Sequence, residues 1–435
     1  MTPKTFRIKS FGCQMNAYDG ERMADLLAAE GMAAAADGAD ADLVVLNTCH
    51  IREKAAEKAY SDVGRLKRED GSKPLIALAG CVAQAEGAEA MRRSPMIDLV
   101  VGPQAYHRLP AMVREAARGT RPADTDMPAI SKFDALPTRR RASPSAFLTV
   151  QEGCDKFCTY CVVPYTRGAE ISRPFGDILG EAHALVDAGA RELVLLGQNV
   201  NAWSDGARGL AELIRELARI DGLERIRYTT SHPADMTDAL VAAHGEVEKL
   251  MPYLHLPVQS GSNRILKAMN RSHTAETYLA IIQKMRSARP DIALSGDFIV
   301  GFPGETEEDF EATLSIVEVV GYASAYSFKY SARPGTPAAT MEDQIPHEIM
   351  EERLRRLQER INAHRLAFNR SKVGVDTQIL IERNGKHDGQ VIGKSPWLQS
   401  VHVETEARPG DIIDVTLVAA GPNSMTGATR ARVAA

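Results

Sequence analysis

The chain has 435 residues, of which 44% are hydrophobic and 25% are charged, and its formal net charge is −5. At roughly 150 residues per domain this length predicts about three domains, and the slightly acidic balance excludes a protein that coats nucleic acid through overall positive charge. No apolar run approaches the roughly 18 residues of a membrane span, and no apolar stretch follows the first charges as in a signal peptide. We therefore expect a cytoplasmic protein with no membrane partner.

Residues 4–120 are predicted to form the first domain, in which short apolar runs alternate with helical patterns. This alternation favours a doubly wound α/β domain with a parallel sheet. The strands are predicted at residues 6–13, 42–49, 75–81 and 99–102. Cys13, Cys49 and Cys81 each close one of these strands, and the carboxyl ends of parallel strands lie along one edge. We therefore expect the three thiols to meet, the alternative being three cysteines buried separately as small apolar residues.

Residues 121–139 contain three prolines and few apolar side chains, and this composition predicts a linker. Residues 140–371 alternate again, and six strands separated by helices predict a partial (β/α)6 barrel. These strands are predicted at residues 147–151, 192–198, 225–231, 253–259, 296–302 and 325–331. Catalytic side chains of such barrels lie at the carboxyl ends of strands. Four polar residues near the ends of these strands are therefore candidate cofactor contacts: Asn199, Gln259, Ser260 and Asp297.

Residues 372–435 change character, with five short β-rich runs separated by Gly, Pro and Asn turns. Five strands in about 60 residues predict a small antiparallel β-barrel of the OB or SH3-like kind.

A second group of cysteines lies in QEGCDKFCTYC, where Cys154, Cys158 and Cys161 fall within eight residues. Structural zinc sites and ferredoxin clusters take four protein ligands, so three thiolates are one short. A [4Fe–4S] cluster held by three cysteines leaves one iron open for a small molecule. S-adenosylmethionine (SAM) fits that position, because its amino and carboxylate groups can chelate iron and place its sulfonium beside the cluster.

The spacing Cys154-x3-Cys158-x2-Cys161, with an aromatic residue before the last cysteine, resembles the signature of radical-SAM enzymes. Further segments narrow the resemblance to the radical-SAM methylthiotransferases, and among them to bacterial enzymes that modify tRNA. These segments include FGCQMNAYDGERM, NTCHIREKA, GCVAQAEG, CTYCVVPYTRGAEISRP, HLPVQSGSNRILKAMNRSHT and SARPGTPAA. The C-terminal barrel is similar to the TRAM module of the same enzymes.

The resemblance implies two [4Fe–4S] clusters. Cys154, Cys158 and Cys161 would hold the SAM-cleaving cluster, and Cys13, Cys49 and Cys81 an auxiliary cluster connected with sulfur delivery. SAM would serve as both radical source and methyl donor, and Asn199, Gln259, Ser260 and Asp297 would contact it.

The implied substrate is tRNA with isopentenyl-adenosine next to the anticodon, which receives a methylthio group at C2. The implied protein partner is a low-potential electron donor such as flavodoxin. We expect the chain itself to be a monomer. Two alternative targets within the family stay open: threonylcarbamoyl-adenosine in tRNA and an aspartate of a ribosomal protein. From another class, a non-catalytic iron–sulfur or zinc protein that binds RNA is the competing hypothesis.

Overall fold

The computed structural model describes residues 3–36, 38–50, 53–67, 71–127, 132–139 and 142–430. Residues 128–131 of the predicted linker, residue 140 at its border and residues 431–435 of the predicted barrel domain lie outside this part. The chain divides into two compact units, and each is discontinuous in sequence. The first comprises Met1–Arg139, Glu152–Asp155 and Cys161–Ile171, and the second comprises Arg140–Gln151, Lys156–Tyr160 and Ser172–Ala435.

The first unit contains a six-stranded parallel sheet, as the alternating pattern predicts. Its strands are β1 (Thr5–Ser10), β2 (Ala33–Ala34), β3 (Leu43–Thr48), β4 (Leu75–Gly80), β5 (Leu99–Val101) and β6 (Ala123–Asp124). Their order across the sheet is β2-β1-β3-β4-β5-β6, so the chain starts inside the sheet and winds outward in both directions. Strand β6 extends this sheet with residues that were predicted as a linker.

Helices cover both faces of this sheet. They are α1 (Gln14–Ala29), α2 (Glu53–Arg65), α3 (Cys81–Glu86), α4 (Glu89–Arg93) and α5 (Leu109–Ala116). Alternate residues of β3 face opposite sides: Leu43 and Val45 pack in the cluster that contains α1 and α5, whereas Val44 and Leu46 pack in the cluster that contains α2. This alternation, which the pleat of a strand imposes, makes the fold doubly wound.

The second unit contains six main parallel strands, which confirms the predicted number. They are β7 (Ser145–Thr149), β10 (Glu192–Leu196), β13 (Arg225–Tyr228), β14 (Tyr253–His255), β15 (Ala293–Val300) and β16 (Ser324–Lys329), and the short strands between them are β8 (Gln151–Glu152), β9 (Ile171–Ser172), β11 (Ser204–Asp205) and β12 (Arg208–Gly209). The main strands form two three-stranded sheets, β7-β10-β13 and β14-β15-β16, with an isolated parallel bridge from Ile226 to Leu250.

The helices from this part of the chain are α6 (Val163–Arg167), α7 (Phe175–Asp187), α8 (Leu210–Leu217), α9 (Asp238–Glu246), α10 (Asn263–Ala268), α11 (Ala275–Ala288), α12 (Glu307–Val320) and α13 (His347–Ser371). Helix α6 belongs to the first unit and the others to the second. In the second unit the outward residues of the strands, such as Leu193, Leu195 and Ile226, pack with the helices in one large core.

The C-terminal strands close into a barrel in the order β17-β18-β19-β21-β20. They are β17 (Asp376–Asn384), β18 (Gln390–Lys394), β19 (Ser400–Glu404), β20 (Ile412–Ala420) and β21 (Met425–Thr429). Four of the five pairings are antiparallel, which confirms the predicted small antiparallel barrel, and the fifth, between β19 and β21, is parallel. The chain places β20 between them in sequence, and β21 then returns beside β19 in the same direction.

Two buried arginines of β13 join the six-stranded part of the second unit to its barrel. Arg225 donates to the carbonyls of Lys394 and Gln378, both at 2.8 Å. Arg227 donates to the carbonyls of Pro396 at 2.8 Å and Ser395 at 2.9 Å. We call this contact the barrel seam. Behind it, Glu192 of β10 accepts a hydrogen bond from Arg227 at 2.7 Å, which balances one of the two charges.

Within the described residues, none of the helices is long and apolar enough to cross a membrane.

Candidate active site

The first cysteine group lies at the carboxyl edge of the first unit's sheet. Strands β1, β3 and β4 are neighbours, and their registers pair Ser10 with Asn47 and Thr48 with Gly80. Cys49 and Cys81 each follow the Thr48–Gly80 pair by one residue, and Cys13 follows β1 as the N-cap of α1. The cysteines therefore lie just beyond the strands and not inside them as predicted, because Gly12 and Gly80, at φ +98° and +87°, turn the chain there.

Two of these thiols lie against each other. The thiol of Cys49 is a hydrogen-bond partner of Cys13, and this contact lowers the pKa of Cys13 to about 6, with burial opposing the shift and Arg167 adding to it. A Cβ at Gly12 would lie 2.3 Å from Cys49 Cβ, so a side chain there would displace Cys49. The turn at Gly12 is therefore a cradle that only glycine can form around this thiol.

A buried group of four charges lies beside the thiols, and the sequence analysis did not predict it. Arg167 donates to Asp19 and to Glu152, both at 2.6 Å. Lys132 donates to Glu152 at 2.8 Å and lies 3.6 Å from Asp19. All four side chains are 3% exposed or less. We call them the buried charge group. Arg167 lowers and Asp19 raises the pKa of both Cys13 and Cys81, and Arg167 is also a hydrogen-bond partner of Cys81.

The thiol of Cys81 has a different environment from that of Cys13. Complete burial raises its pKa, and the charge of Arg167 opposes this increase. The same guanidinium is a hydrogen-bond partner of Cys81. A thiol that must ionise to bind metal thus has a fixed positive charge beside it, which compensates part of the desolvation cost.

The second cysteine group is divided between the two units. Cys154 and Cys161 belong to the first unit, whereas Cys158 belongs to the second. In the first unit, Cys154 N–H donates to the carbonyl of Gly168 at 3.3 Å, and Cys161 Sγ accepts from Val163 N–H at 3.5 Å. These contacts fix the two ends of the signature loop near α6.

In the second unit, the middle of the signature loop is held by the end of α10. Asn270 donates to the carbonyls of Lys156 at 3.1 Å and Phe157 at 3.0 Å. Phe157 adopts φ +47°, a conformation that non-glycine residues rarely take, and its side chain is 52% exposed. The guanidinium of Arg271 lies 3.7 Å from Cys158 Sγ. The described contacts therefore hold a strained loop with its thiol beside a positive charge.

Asn199 lies at the end of β10 in a polar group of the second unit. Its amide donates to Asp235 at 2.8 Å, and Lys156 of the signature loop lies 2.8 Å from the same carboxylate. The Asn199 Oδ1 atom is buried and has no hydrogen-bond partner among the described residues. This acceptor is free for a donor from a bound molecule.

Gln259 and Asp297 lie together on neighbouring segments. Gln259 N–H donates to the carbonyl of Asp297 at 2.9 Å, and Gln259 adopts φ +76°. The carboxylate of Asp297 lies 3.6 Å from His255 Nε2, beside the half-exposed ring of Tyr326. Gln259 lies four residues beyond the end of β14, but Asp297 lies in the middle of β15 and Tyr326 inside β16, so the predicted position of Asp297 near a strand end is wrong.

Ser260 has a different environment from the other predicted contacts. It is fully buried, and its hydroxyl lies 3.3 Å from the Thr313 hydroxyl and accepts from Ser262 N–H at 3.2 Å. These bonds attach the segment after β14 to helix α12. The Ser260 hydroxyl thus already has hydrogen-bond partners inside the protein, and a bound cofactor would compete with them for this hydroxyl.

Two family models match the chain. Residues 5–102 match "Uncharacterized protein family UPF0004", and residues 148–317 match the radical SAM superfamily. The tRNA-2-methylthio-N(6)-dimethylallyladenosine synthase of Novosphingobium aromaticivorans is 69% identical over 431 residues, which are 98% of this chain and 97% of that protein. The synthase of Erythrobacter litoralis is 65% identical over 441 residues, 100% and 99% of the two chains.

The chain belongs to this family of radical-SAM methylthiotransferases.

Solved structures support the same fold. The radical S-adenosylmethionine methyltransferase TsrM from Kitasatospora setae, with cobalamin and a [4Fe–4S] cluster bound, aligns with a TM-score of 0.58 at 14% identity, over 78% of this chain and 77% of that one. The radical enzyme OxsB with aqua-cobalamin and S-adenosylmethionine aligns with a TM-score of 0.52 at 13% identity, over 83% and 56%. At these identities the likeness shows the fold of the methylthiotransferase and no more.

The cysteines of this methylthiotransferase are compatible with the iron–sulfur clusters of its family. Within the described residues, no three Cys, His, Asp or Glu side chains are placed to hold one metal ion. A cluster differs, because each thiolate binds a separate iron. In the first group the lowered pKa of Cys13 and the adjacent guanidinium of Arg167 favour thiolate ligands, and the glycine cradle leaves space for Cys49. The residues present therefore fit the cofactors of the family, SAM and [4Fe–4S] clusters.

Proposed function

We propose that this methylthiotransferase adds a methylthio group to C2 of isopentenyl-adenosine next to the anticodon of tRNA. The observation that carries the proposal is full-length identity of 60–69% to synthases named for this product. It favours the isopentenyl nucleoside over threonylcarbamoyl-adenosine and over a ribosomal-protein aspartate. The two groups of three cysteines supply the means, because each leaves one iron of a [4Fe–4S] cluster without a protein ligand.

Cys154, Cys158 and Cys161 would hold the cluster that cleaves SAM, and Cys13, Cys49 and Cys81 the auxiliary cluster. Together with SAM, the clusters would supply a carbon radical, sulfur and a methyl group, which acid–base side chains cannot provide at an unactivated C–H bond. In the first group the charge of Arg167 contributes to the lowered pKa of Cys13 and opposes the increase that burial causes at Cys81. In the second group the guanidinium of Arg271 lies 3.7 Å from Cys158 Sγ. Each group thus has an arginine beside it whose charge would balance part of the charge of bound thiolates.

SAM contacts are proposed for Asn199, Gln259, Ser260 and Asp297. Support is strongest for Asn199, whose buried Oδ1 has no partner among the described residues and accepts hydrogen bonds. An amine is the natural partner for such an oxygen, and the carboxylate of Asp297 can accept from a ribose hydroxyl. Ser260 is the weakest candidate, because its hydroxyl already bonds inside the protein.

The tRNA partner follows from the proposed activity. The target base has to leave the stack of the anticodon loop, and exposed aromatic rings stabilise unstacked bases. Phe157 and Tyr326 are both 52% exposed and lie on the signature loop and on β16. We propose a low-potential electron donor such as flavodoxin, a monomeric state and a cytoplasmic location on the same basis, since tRNA and reducing conditions are found there.

Tandem mass spectrometry of tRNA nucleosides tests the proposal. A bacterial strain without its own synthase, complemented with this chain, should regain 2-methylthio-isopentenyl-adenosine, and the Cys158→Ala variant should not restore it. The Arg219→Met variant, which alters a 75%-exposed side chain, serves as the matched control and should restore it fully. Methylthio-threonylcarbamoyl-adenosine in place of the isopentenyl product would show that the alternative tRNA target is the correct one.

A further inference from the structure

Arg167 connects the segment after the signature loop to the first cysteine group. It is the last residue of α6, six positions after Cys161, and α6 packs against α3, the helix that begins with Cys81. All of these residues belong to the first unit. The guanidinium is 3% exposed and makes its ion pairs with Asp19 and Glu152 at 2.6 Å.

A second contact reaches Cys13 through Asn16. Asn16 Oδ1 accepts from Arg167 Nη2 at 3.3 Å and lies 3.7 Å from Cys13 Sγ. Asn16 is fully buried, and its amide donates to the carbonyl of Phe11 at 2.8 Å, which fixes the orientation of the side chain. Because Asn16 and Asp19 are three residues apart on α1, they share one face of the helix and present both acceptors to Arg167.

The charges of this region balance without the cysteines. Arg167 and Lys132 carry two positive charges, and Asp19 and Glu152 carry two negative ones. Ionised thiols therefore add negative charge to a group that is already neutral. If Arg167 served only to compensate Asp19 and Glu152, it would not need the additional contact to Asn16 or its position beside Cys81.

We propose that Arg167 is a positioning residue that sets the reduction potential of the auxiliary cluster. Its charge would favour the added electron, and its bond to Asn16 would orient Cys13. The inference rests on the proposed function, because it takes Cys13, Cys49 and Cys81 as the ligands of that cluster. It also assigns part of the control of the auxiliary cluster to the segment that follows the SAM-cleaving cluster in sequence.

The test uses the full chain with Cys154, Cys158 and Cys161 replaced by Ala, so that any remaining cluster is the auxiliary one. Iron and sulfide are quantified, and the cluster is titrated with dithionite, which supplies the electron, while electron paramagnetic resonance measures the reduced fraction. At a fixed potential, Arg167→Met should lower the ratio of reduced to oxidised cluster at least tenfold, a shift of about 59 mV for a one-electron couple. Arg167→Lys keeps the charge and should recover most of the difference.

Asp19→Asn serves as a variant with the opposite sign. It removes a negative charge beside the same guanidinium and should raise the potential. If the Arg167→Met variant does not retain its cluster, the reduction potentials of the Arg167→Lys and Asp19→Asn variants test the role of Arg167. Equal potentials in all loaded variants, or a more negative potential in Asp19→Asn, would overturn the role of Arg167 while leaving the proposed function intact. No iron in the parent with three substitutions would overturn the assignment of the auxiliary cluster and the inference with it.

Discussion

Replacement of Arg227 by Met should weaken the attachment of the barrel to the rest of the second unit. The change removes a buried ion pair with Glu192, whose side chain is 1% exposed, and two hydrogen bonds to the carbonyls of Ser395 and Pro396. Breaking one partner of a buried pair costs about 3–5 kcal/mol. Burial opposes the ionisation of Glu192, and among the nearby charges Arg227 favours it most, followed by Arg225. Because Arg225 stays in place, we expect the free energy of unfolding to fall by about 3 kcal/mol, the low end of this range.

The two tryptophans make this loss measurable. Trp397 lies in the barrel seam, where its indole N–H donates to the carbonyl of Asp291 at 2.9 Å, and Trp203 is buried in the main core of the second unit. In a Trp203→Phe background, fluorescence therefore comes from Trp397 and reports on the barrel and its contact with the rest of the second unit. With a urea slope of about 2 kcal/mol/M, the loss of about 3 kcal/mol lowers the midpoint by about 1.5 M.

Two comparisons give this experiment its controls. Arg219→Met changes an exposed arginine just beyond α8 that pairs with Glu216 in its last turn, and should leave the midpoint almost unchanged. Combining Arg227→Met with Glu192→Gln removes both charges of the pair and should recover part of the loss. If Arg227→Met unfolds at the same urea concentration as the Arg219 control, the reasoning about the barrel seam is wrong.

Three further predictions concern other parts of the molecule. Asp309→Asn should lower the free energy of unfolding by about 2 kcal/mol at pH 7, because burial raises the pKa of this carboxyl but hydrogen bonds, including that from Arg264, outweigh burial and lower the pKa to about 2. A carboxyl with a lowered pKa stabilises the fold above its unfolded pKa, and this stabilisation is lost on acidification. Urea titrations should therefore show the difference between the protein and the variant shrinking between pH 4 and pH 2. Gly12→Ala should lose about half of the iron, since its Cβ would displace Cys49, and iron analysis showing full content would contradict the cradle. Lys132→Met should lower the free energy of unfolding of the first unit by about 3 kcal/mol in urea, because Asp19 and Glu152 then share the single charge of Arg167. If hydrogen exchange became faster only in the second unit, this prediction would be refuted.

Local patterns were sufficient to predict most of the fold and the cysteine groups. The six parallel strands of the second unit follow from runs of apolar residues, and the helices between them from the alternating pattern. The bounds of helices α9 (Asp238–Glu246) and α10 (Asn263–Ala268) were not predicted, because short helices carry little periodic signal. The predicted linker supplies β6 and the buried Lys132, since proline content indicates irregular backbone and does not exclude packing.

The residues that contact the thiols were harder to predict, and the reason is distance along the chain. Arg167 meets Asp19 across 148 positions and Asn16 across 151. The segment CTYCVVPYTRGAEISRP drew attention as a motif, yet nothing in its composition tells a buried arginine from an exposed one. Likewise, the parallel pairing of β19 with β21 depends on how the barrel closes, which strand patterns do not encode.

The interrupted sequence of the first unit has a consequence for how the protein is made. A ribosome that has released residues 1–139 has supplied Asp19 and Lys132 but not Glu152 or Arg167. Domains generally fold as they emerge, but this one lacks half of its buried charge group until residue 167 has left the exit tunnel. By then Cys154, Cys158 and Cys161 have emerged as well. The buried charge group beside Cys13 and Cys81 is therefore complete only after the three cysteines of the second group have also been synthesised.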